Sequence, residues 1–398
     1  MAGTEDSPQG DHAVINQVVP RDYEGPMTRA LKLAALAVVL VITPVGAQLS
    51  IPEIPYDAVD PIKLPDNIYL GEAVGVATNS KGNIFVYTRT GTPFSTLGTR
   101  RTFSRGGGAR LFEFDPSGKY MREIGQGLYG FLFAHTVRID RQDNIWVVDE
   151  GSNMIIKFDP DGRVVMTMGR KPEAINVPGG AGGGGEEGGG GGGGGRGRGA
   201  GAAPGAPAAA PAPQGTGVPG DNFNRPTDVA WDAQGNIYVS DGYGNSRIAK
   251  FDPNGKYIKS WGSRGSAPGQ FNLPHTMAID AQGLIYVGDR ANNRIQVFDG
   301  DGNFKTQFVN VGAPSAICIT PGPRQFLYAS NSNPSTTMDN GEIYKMSLDG
   351  KILGKFGTAG KLLKEFGSVH EMDCRSENEL YVGEITNWRV QKLTLKPR

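Results

Sequence analysis

The stretch RPTDVAWDAQGNIYVSD, residues 225–241, contains the pattern that decides the fold. Apolar and polar residues alternate in both of its halves, and a short Gln-Gly-Asn turn separates them, which is typical of paired antiparallel strands. The phrase returns as LPHTMAIDAQGLIYVGD in residues 273–289, and an Asp-Pro-x-Gly hairpin follows the first copy at residues 252–255. Self-similarity of this kind indicates a repeat architecture.

Six copies of the phrase can be identified, at intervals of about 40 to 60 residues once a glycine-rich insertion is left out. They begin near Gly71, Phe131, Asn224, Asn272, Ala313 and Gly367. One interval accommodates four short strands, and six four-stranded blades close into a ring without free sheet edges. We therefore predict an all-β fold, a six-bladed β-propeller, over residues 65–398.

Two alternatives to this ring remain at the level of the sequence. A seventh blade fits if residues 91–125 contain an extra unit. An open solenoid is less favoured, because the C-terminal strands in residues 390–395 have no capping sequence and fit as the completion of the first blade.

The composition has a local bias. Gly accounts for 60 of 398 residues, and 21 of these glycines lie between Gly179 and Gly220. We interpret residues 178–220 as a disordered Gly/Ala/Pro-rich insertion between the second and third blades, because such a segment cannot bury apolar surface. Lys plus Arg and Asp plus Glu both number 40, so the formal net charge is zero, which disfavours nucleic acid as a partner.

The first 47 residues have the composition of a targeting segment. Residues 1–26 form a polar tail, and we expect translation to begin at Met27 instead. Residues 27–47 are typical of a signal peptide, with a basic start, an apolar run from 33 to 42 and a small-residue end. The apolar run is too short to span a bilayer, so we predict a secreted or periplasmic protein without a stable membrane span.

The two cysteines, Cys318 and Cys374, are too few for a disulfide framework or a cysteine-rich metal site. They lie on adjacent predicted blades, and export would permit one bridge. Their strand positions differ in parity, however, so we expect them to remain unpaired.

Three of the four histidines occupy the same place in the repeat. In the second, fourth and sixth units, His135, His275 and His370 each lie five residues before a common position of the repeat, which is occupied by Asp140, Asp280 and Arg375. The other units have different residues at about this place: Val74, Thr227 and Ser315. The first residues of an innermost strand face the central channel, so three imidazoles about 120° apart converge on one axis.

Such a convergence predicts a metal site with three histidine ligands and open positions for water or substrate. This is a catalytic rather than a structural zinc arrangement. Zn²⁺ suits three neutral imidazoles best, and Fe, Co and Cu also accept them. The alternative for any single histidine is a hydrogen-bonded structural role.

Several phrases resemble those of NHL-repeat propellers, and more closely those of peptidyl-α-hydroxyglycine α-amidating lyases. The resemblance covers residues 65–398 apart from the insertion and is sharpest in residues 222–298. It rests on the phrases VSDGYGNSR (239–247), PGQFNLPH (268–275), DRANNRIQ (289–296) and RPTDVA (225–230).

The resemblance implies cleavage of the C–N bond of a carboxy-terminal α-hydroxyglycine, which releases a peptide amide and glyoxylate. It implies zinc ligation by the three histidines, catalysis by Tyr243, and active-site roles for Arg89 and Arg290. It also implies a structural Ca²⁺ site formed by the backbone carbonyls of residues 76 and 137, both valines, and by the side chain of Glu371, where the family has aspartate.

The chemistry of these residue types agrees with the implied roles. A zinc ion lowers the pKa of a bound hydroxyl, a phenolate-like Tyr243 then takes the proton, and arginines hold a carboxylate by paired donors. Each residue also has a plainer interpretation. Tyr243 fits a channel-rim aromatic, Arg290 an inter-blade ion pair, and Arg89 a loop charge, while Asp149 and Glu150 on the second unit either bind a cation or are merely solvated.

We therefore predict an exported, zinc-dependent carbon–nitrogen lyase, monomeric, acting on a small-molecule or peptide substrate with a C-terminal α-hydroxyglycine. Two alternatives remain. One is another metal-dependent propeller lyase or lactonase, and the other is a non-catalytic NHL propeller that binds a protein or glycan. A stoichiometric metal ion distinguishes both enzymes from the binding module.

Overall fold

The computed structural model describes residues 51–90, 94–97, 100–103, 108–170, 215–331 and 341–396. The predicted polar tail (1–26), the predicted signal peptide (27–47) and residues 178–214 of the predicted insertion lie outside the described residues. Within the described ranges, no helix has the length and apolar character needed to cross a membrane.

Six four-stranded antiparallel sheets are arranged as the blades of a propeller. The innermost strands contact one another in a closed cycle, each touching the innermost strand of the next blade. The prediction of a six-bladed β-propeller is therefore confirmed. In the described part of the chain, the only helical segment is a short 3₁₀ turn, Arg290–Asn292.

The strands are numbered in chain order. The N-terminal strand, the first blade and a hairpin inserted in it comprise β1 (Tyr56–Val59), β2 (Glu72–Thr78), β3 (Ile84–Arg89), β4 (Phe94–Leu97), β5 (Arg100–Phe103), β6 (Ala109–Phe114) and β7 (Tyr120–Ile124). The second and third blades comprise β8 (Ala134–Ile139), β9 (Ile145–Asp149), β10 (Met154–Phe158), β11 (Val164–Gly169), β12 (Asp228–Trp231), β13 (Ile237–Asp241), β14 (Arg247–Phe251) and β15 (Tyr257–Trp261).

The second half of the ring follows the same order. The fourth and fifth blades comprise β16 (Pro274–Ile279), β17 (Ile285–Asp289), β18 (Arg294–Phe298), β19 (Phe304–Phe308), β20 (Ile317–Ile319), β21 (Leu327–Asn331), β22 (Glu342–Met346) and β23 (Ile352–Phe356). A short parallel pair and the sixth blade comprise β24 (Thr358–Ala359), β25 (Glu365–Phe366), β26 (Val369–Cys374), β27 (Glu379–Glu384) and β28 (Arg389–Leu395).

The N-terminal strand closes the ring. Strand β1 pairs antiparallel with β28, so that Tyr56 lies opposite Leu395 and Val59 lies opposite Lys392. The sixth blade thus takes its outermost strand from the start of the propeller, and the expectation that the C-terminal strands complete the first blade is wrong. The propeller also begins at Tyr56 rather than at residue 65. The sequence YDAV of β1 contains no part of the repeated phrase, so the repeat gives no sign of this strand.

The segment between β3 and β6 does not add a seventh blade. Strands β4 and β5 form a separate two-stranded sheet, while β3 pairs directly with β6 and brings Ile84 opposite Phe114. The first blade therefore has its own four strands, and residues 91–125 contain an inserted hairpin instead of an extra unit.

The last residues of the predicted insertion lie against the third blade. Arg247 donates hydrogen bonds to the carbonyl oxygens of Val218 and Gly220 over 2.6 and 3.2 Å, and its Nε donates to the buried Asp241 over 2.9 Å. The disorder predicted for residues 178–220 therefore does not extend to residues 215–220.

The apolar core is divided into six clusters, each between two neighbouring blades. Phe85 of the first blade packs with Phe158 of the second, and Trp146 packs against Trp231 of the third blade with ring centroids 5.2 Å apart. Burying one such large apolar side chain stabilises the fold by roughly 1.5–3 kcal/mol. Apolar packing thus holds the blades face to face, and the polar groups described below lie at the channel.

A disulfide bond joins the fifth and sixth blades. Cys318 in β20 and Cys374 in β26 are bonded, with Cα atoms 5.9 Å apart, inside the apolar cluster between these blades. The expectation that they remain unpaired is wrong. Parity distinguishes the two faces of one sheet. Because neighbouring blades pack with opposite faces toward each other, strand positions of different parity are the ones that meet.

Candidate active site

Each channel histidine lies at an irregularity of its inner strand. The pairing of β8 with β9 shifts register between Ala134 and Thr136, so His135 has no residue opposite it. The same shift occurs at His275 in β16 and at His370 in β26. A β-bulge redirects the side chain of its extra residue. Here the three bulges let imidazoles from alternate blades meet in the channel.

A buried acidic residue at the end of the second strand fixes the loop that leads to each histidine. Oδ2 of Asp149 accepts hydrogen bonds from the N–H groups of Leu132 and Phe133, each over 2.9 Å. The equivalent pairs in the fourth and sixth blades are Asp289 with Asn272 and Glu384 with Gly367. Asp149 also accepts from the Tyr87 hydroxyl and the Ser152 N–H. It is therefore neither solvated nor free to bind a cation.

The three imidazoles form a compact, buried triangle. Ring centroids are 4.7 Å apart for His135 and His275, 4.7 Å for His135 and His370, and 4.9 Å for His275 and His370. One nitrogen of each ring lies within 4.8 Å of the corresponding atoms of the other two. The structure thus brings together all three residues that the repeat pattern singled out as zinc ligands.

Hydrogen bonds to the next blade orient two of the rings. The Nδ1 atoms of His275 and His370 lie 2.7 Å from the carbonyl oxygens of Ser315 and Val74, respectively. Both acceptors occupy the histidine position of the following blade. A ring that donates from Nδ1–H to a carbonyl keeps its Nε2 lone pair for a metal ion.

Several ring nitrogens inside the triangle have no hydrogen-bond partner. Among the described residues, both ring nitrogens of His135 and Nε2 of His370 are buried without a hydrogen-bond partner. The Thr227 backbone lies close enough to His135 to favour its protonated form. Burial lowers the pKa of all three histidines, that of His370 to about 3, and the charge of Arg89 lowers each further. Buried polar atoms without partners are costly, and three neutral imidazoles are a donor set of catalytic zinc sites. The residues therefore fit a zinc ion.

Tyr243 approaches the triangle from the tip of the third blade. Its hydroxyl lies 3.4 Å from Nε2 of His275, and its ring meets His135 edge-on with centroids 5.7 Å apart. Gly242 permits this approach, because a Cβ at that position would lie 2.2 Å from the carbonyl oxygen of Pro274. The structure thus brings Tyr243 to the candidate metal ligands.

A charged residue that the sequence pattern did not single out for the site, Arg225, adjoins Tyr243 and pairs with Glu150. The guanidinium carbon of Arg225 lies 4.4 Å from the centre of the Tyr243 ring, a cation–π geometry, and Arg225 Nε donates to Glu150 over 2.7 Å. Glu150 is buried, and its other oxygen lies 3.8 Å from Arg89. Glu150 therefore pairs with two arginines instead of being solvated. Arg225 does occur in a repeated phrase, but no spacing in the sequence indicates that it meets Glu150.

Arg89 is held by several partners. Its Nε donates to the carbonyl of Ala134 over 2.8 Å, its Nη1 donates to Glu72 over 3.2 Å, and its guanidinium carbon lies 3.6 Å from the centre of the Phe133 ring. Its charge lowers the pKa of every histidine in the triangle. Arg89 is thus close to the site, with much of its hydrogen-bonding capacity already used.

Arg290 has different surroundings. It begins the 3₁₀ turn after β17, and its charge lowers the pKa of His275 and His370. Within the described ranges, its side chain makes no hydrogen bond or ion pair. Of the two arginines, Arg290 therefore has the guanidinium that is free to bind an anionic ligand.

The predicted calcium residues lie beside a positive charge. Oε2 of the buried Glu371 accepts from the Thr136 hydroxyl over 2.8 Å, and Oε1 lies 2.8 Å from Arg138 Nη1, an ion pair without hydrogen-bond geometry. Val76 and Val137 are buried on the adjoining strands β2 and β8. A calcium ion at Glu371 would lie against the Arg138 guanidinium, and like charges repel strongly in a buried site. These residues do not fit a calcium ion in this arrangement.

Comparison with known proteins identifies the repeats and the fold. The sequence model of the NHL repeat matches residues 223–251 and 271–298, which cover much of the third and fourth blades. A streptogramin B lyase structure is 13% identical to this chain with a TM-score of 0.50, covering 86% of this chain and 98% of that one. This likeness shows the fold alone.

The resemblance to amidating lyases is confirmed at modest identity. Peptidyl-glycine alpha-amidating monooxygenase B of Xenopus laevis is 29% identical over 338 residues, which cover 80% of this chain and 33% of that protein. Peptidyl-alpha-hydroxyglycine alpha-amidating lyase 1 of Drosophila melanogaster is 25% identical over 359 residues, with 82% and 58% covered. A probable lyase of the same name in Caenorhabditis elegans is 28% identical over 199 residues, with 48% and 43% covered. The chain thus spans between a third and three fifths of these relatives.

Proposed function

We propose that this protein is a metal-dependent lyase that cleaves the C–N bond of a peptidyl-α-hydroxyglycine or of a small carbinolamide of the same type. The products are an amide and glyoxylate. The observation that supports this most is the buried triangle of neutral histidines with the Tyr243 hydroxyl 3.4 Å from a ring nitrogen. The relatives named as amidating lyases support the same class of reaction.

In this proposal, His135, His275 and His370 hold the metal ion through the ring nitrogens that face one another. Zinc is the favoured ion, with iron as the alternative. When bound, it supplies Lewis acidity that lowers the pKa of a ligated hydroxyl group. The protein contributes three buried, neutral ligands, two of them oriented by backbone carbonyls.

The reaction balances without an oxidant or a second substrate. The α-hydroxyl loses its proton, its oxygen forms a C=O double bond, the C–N bond breaks, and the amide nitrogen takes up a proton. Tyr243 moves this proton in its phenolate form: the deprotonated oxygen accepts it from the hydroxyl, becomes a phenol, and returns it to the departing nitrogen. The cation–π contact with Arg225 and the close approach at Gly242 hold the phenol in place for both transfers.

Arg290 binds the substrate carboxylate in this proposal. A guanidinium without a protein partner offers a fork of donors that matches a carboxylate. Arg89 acts at longer range. Burial lowers the pKa of the histidines most, the charge of Arg89 lowers it further, and the same charge favours an anionic product next to them.

We also propose that the protein is exported. Residues 27–47 have the sequence of a signal peptide. The bond between Cys318 and Cys374 is of a kind that persists in oxidising compartments and is rare in the cytosol.

The experiment that tests the reaction uses α-hydroxyhippurate as substrate. Benzamide and glyoxylate are quantified in the same sample by chromatography, with zinc present and after treatment with a chelator. We expect equal amounts of the two products, loss of turnover on chelation, recovery with zinc, and no turnover by His275→Ala.

The other outcomes separate the alternative functions. A protein that binds metal tightly but forms glyoxylate no faster than zinc alone is not this lyase, and other carbinolamides and lactones become the substrates to test. A protein that binds no metal is neither enzyme, which leaves the NHL propeller that binds a protein or glycan.

A further inference from the structure

A second polar layer adjoins the three histidines. The residue that follows each histidine is polar and buried: Thr136, Thr276 and Glu371. All three side chains belong to one connected set of hydrogen bonds and ion pairs, and Arg138 lies at its centre.

Arg138 bridges two carboxylates from other blades. Its Nε and Nη2 atoms lie 3.0 and 2.6 Å from the two oxygens of Asp228, and its Nη1 lies 2.8 Å from Oε1 of Glu371. Nη1 also reaches the carbonyl oxygen of Met372 over 3.4 Å. The guanidinium of the second blade thus joins the third blade to the sixth.

The carboxylates extend this set to the remaining histidine strand. Oδ2 of Asp228 accepts from the Thr276 hydroxyl over 3.2 Å and from the Met277 N–H over 2.8 Å. The Thr276 hydroxyl oxygen in turn accepts from the Ile317 N–H over 3.2 Å. Oε2 of Glu371 accepts from Thr136 over 2.8 Å. Strands β8, β16 and β26, which bear the three histidines, are therefore connected through Arg138 and its two carboxylate partners.

The carboxyl groups around Arg138 favour a cation at this place. Asp228 and Glu371 are both buried, and Asp373 adds a third carboxylate nearby. Removing the partner of a buried carboxylate is strongly destabilising because the remaining charge is left uncompensated. A guanidinium suits the position, since its planar fork donates to both oxygens of Asp228 while its charge also lies beside Glu371.

We propose that Arg138 is a positioning residue, a permanent internal cation that ties together the three strands bearing the histidines and makes this level of the channel independent of calcium. The guanidinium takes the place that a divalent cation would otherwise fill between Asp228 and Glu371. This inference rests on the polar layer alone and does not depend on the lyase reaction.

The first test uses the unmodified protein. Thermal unfolding of the zinc-free protein is measured in EGTA and in EGTA with calcium in excess, so that zinc is absent from both solutions, and calcium binding is measured by calorimetry. We expect the same Tm in both solutions and no stoichiometric calcium binding. A calcium ion bound per chain, with a Tm that falls in EGTA, overturns the proposal.

The second test removes the guanidinium. In EGTA, Arg138→Ser is expected to lower Tm by about 5–10 °C. Calcium is expected to restore part of this loss, because Asp228 and Glu371 then face an open space. Arg389→Ser is the matched control: the Arg389 side chain is 17% exposed against 15% for Arg138, and it also pairs with a fully buried carboxylate, Glu384.

The control variant should be destabilised equally with and without calcium. An identical calcium response in Arg138→Ser and Arg389→Ser overturns the proposal, because a merely structural arginine gives that result. If Arg138→Ser does not fold, Arg138→Gln, which retains a hydrogen-bonding side chain, takes its place, and its calcium response is compared with that of Arg389→Ser.

Discussion

The Nδ1 atom of His370 lies 2.7 Å from the carbonyl oxygen of Val74, so a residue of the candidate metal site joins the last blade to the first. An equivalent hydrogen bond joins His275 to the next blade through the carbonyl oxygen of Ser315. Ring closure therefore includes both the pairing of β1 with β28 at the rim and the His370–Val74 hydrogen bond at the channel. The geometry of the histidines depends on an intact ring.

Replacing Tyr243 by Phe removes the proposed proton carrier and little else. We expect kcat to fall by roughly 10²-fold or more, in line with the loss of a general base, while KM changes little. Tyr238→Phe is the matched control in the same blade, since its hydroxyl donates to Asp232 over 3.0 Å, away from the histidines. Similar kcat values for the two variants would remove Tyr243 from the mechanism.

The two arginines should respond differently to substitution. Arg290→Ala is expected to raise KM by about 10- to 100-fold, because a carboxylate loses its paired donors, and Arg290→Lys should recover only part of this loss. Arg89→Ala, unlike the Arg290 variants, is expected to lower Tm, since Glu72 and Glu150 lose an ion-pair partner. Steady-state kinetics and thermal unfolding of the three variants check this. An unchanged KM in Arg290→Ala assigns the substrate carboxylate elsewhere.

The disulfide should contribute to stability. Cys318→Ala combined with Cys374→Ala is expected to lower the free energy of unfolding by about 2–4 kcal/mol, because the bond closes a long loop. Urea unfolding with and without dithiothreitol measures the effect. The wild type should lose stability on reduction, whereas the double variant should be indifferent to the reductant. A wild type that dithiothreitol leaves unchanged under unfolding conditions would show that the bond does not form.

The metal-free protein should lose stability in mild acid. Burial lowers the pKa of His370 to about 3 and those of His135 and His275 well below the usual value of about 6.5. The unfolded chain therefore binds more protons than the fold between about pH 3 and 6.5, so stability is complete above that window and falls as the pH falls through it. Urea midpoints at pH 5 and pH 7.5 in a chelator measure the loss, and His370→Gln should reduce it. A larger loss of stability in His370→Gln than in the wild type between pH 7.5 and pH 5 would contradict the lowered pKa of His370.

Much of the fold was visible in the sequence because every blade repeats one phrase. The alternation within the phrase gives the strands, and its recurrence gives the blade number. The shared place of His135, His275 and His370 within the phrase is enough to predict that they converge in the channel. Strand β1 escaped this reasoning because YDAV contains no part of the phrase, and its role depends on pairing with β28.

The details of the site depend on contacts between blades, which a one-dimensional pattern does not contain. A bulge such as the one at His135 depends on the register between two strands. Arg138 in HTVRID has the appearance of an outward-facing charge in an alternating strand, yet it is mostly buried, because Asp228 and Glu371 are supplied by other blades. The prediction for the two cysteines is wrong for the same reason, since neighbouring blades meet with opposite faces and residues of different parity then come together.

The central claim is that three histidines and Tyr243 form the site of a metal-dependent lyase. Metal content by plasma mass spectrometry, with glyoxylate release followed on the same sample, tests it most directly. We expect about one zinc per chain, glyoxylate release that falls in proportion as zinc is withdrawn, and neither property in His370→Ala. A wild-type chain without bound metal, or one that is fully loaded with zinc and releases no glyoxylate, would contradict the claim.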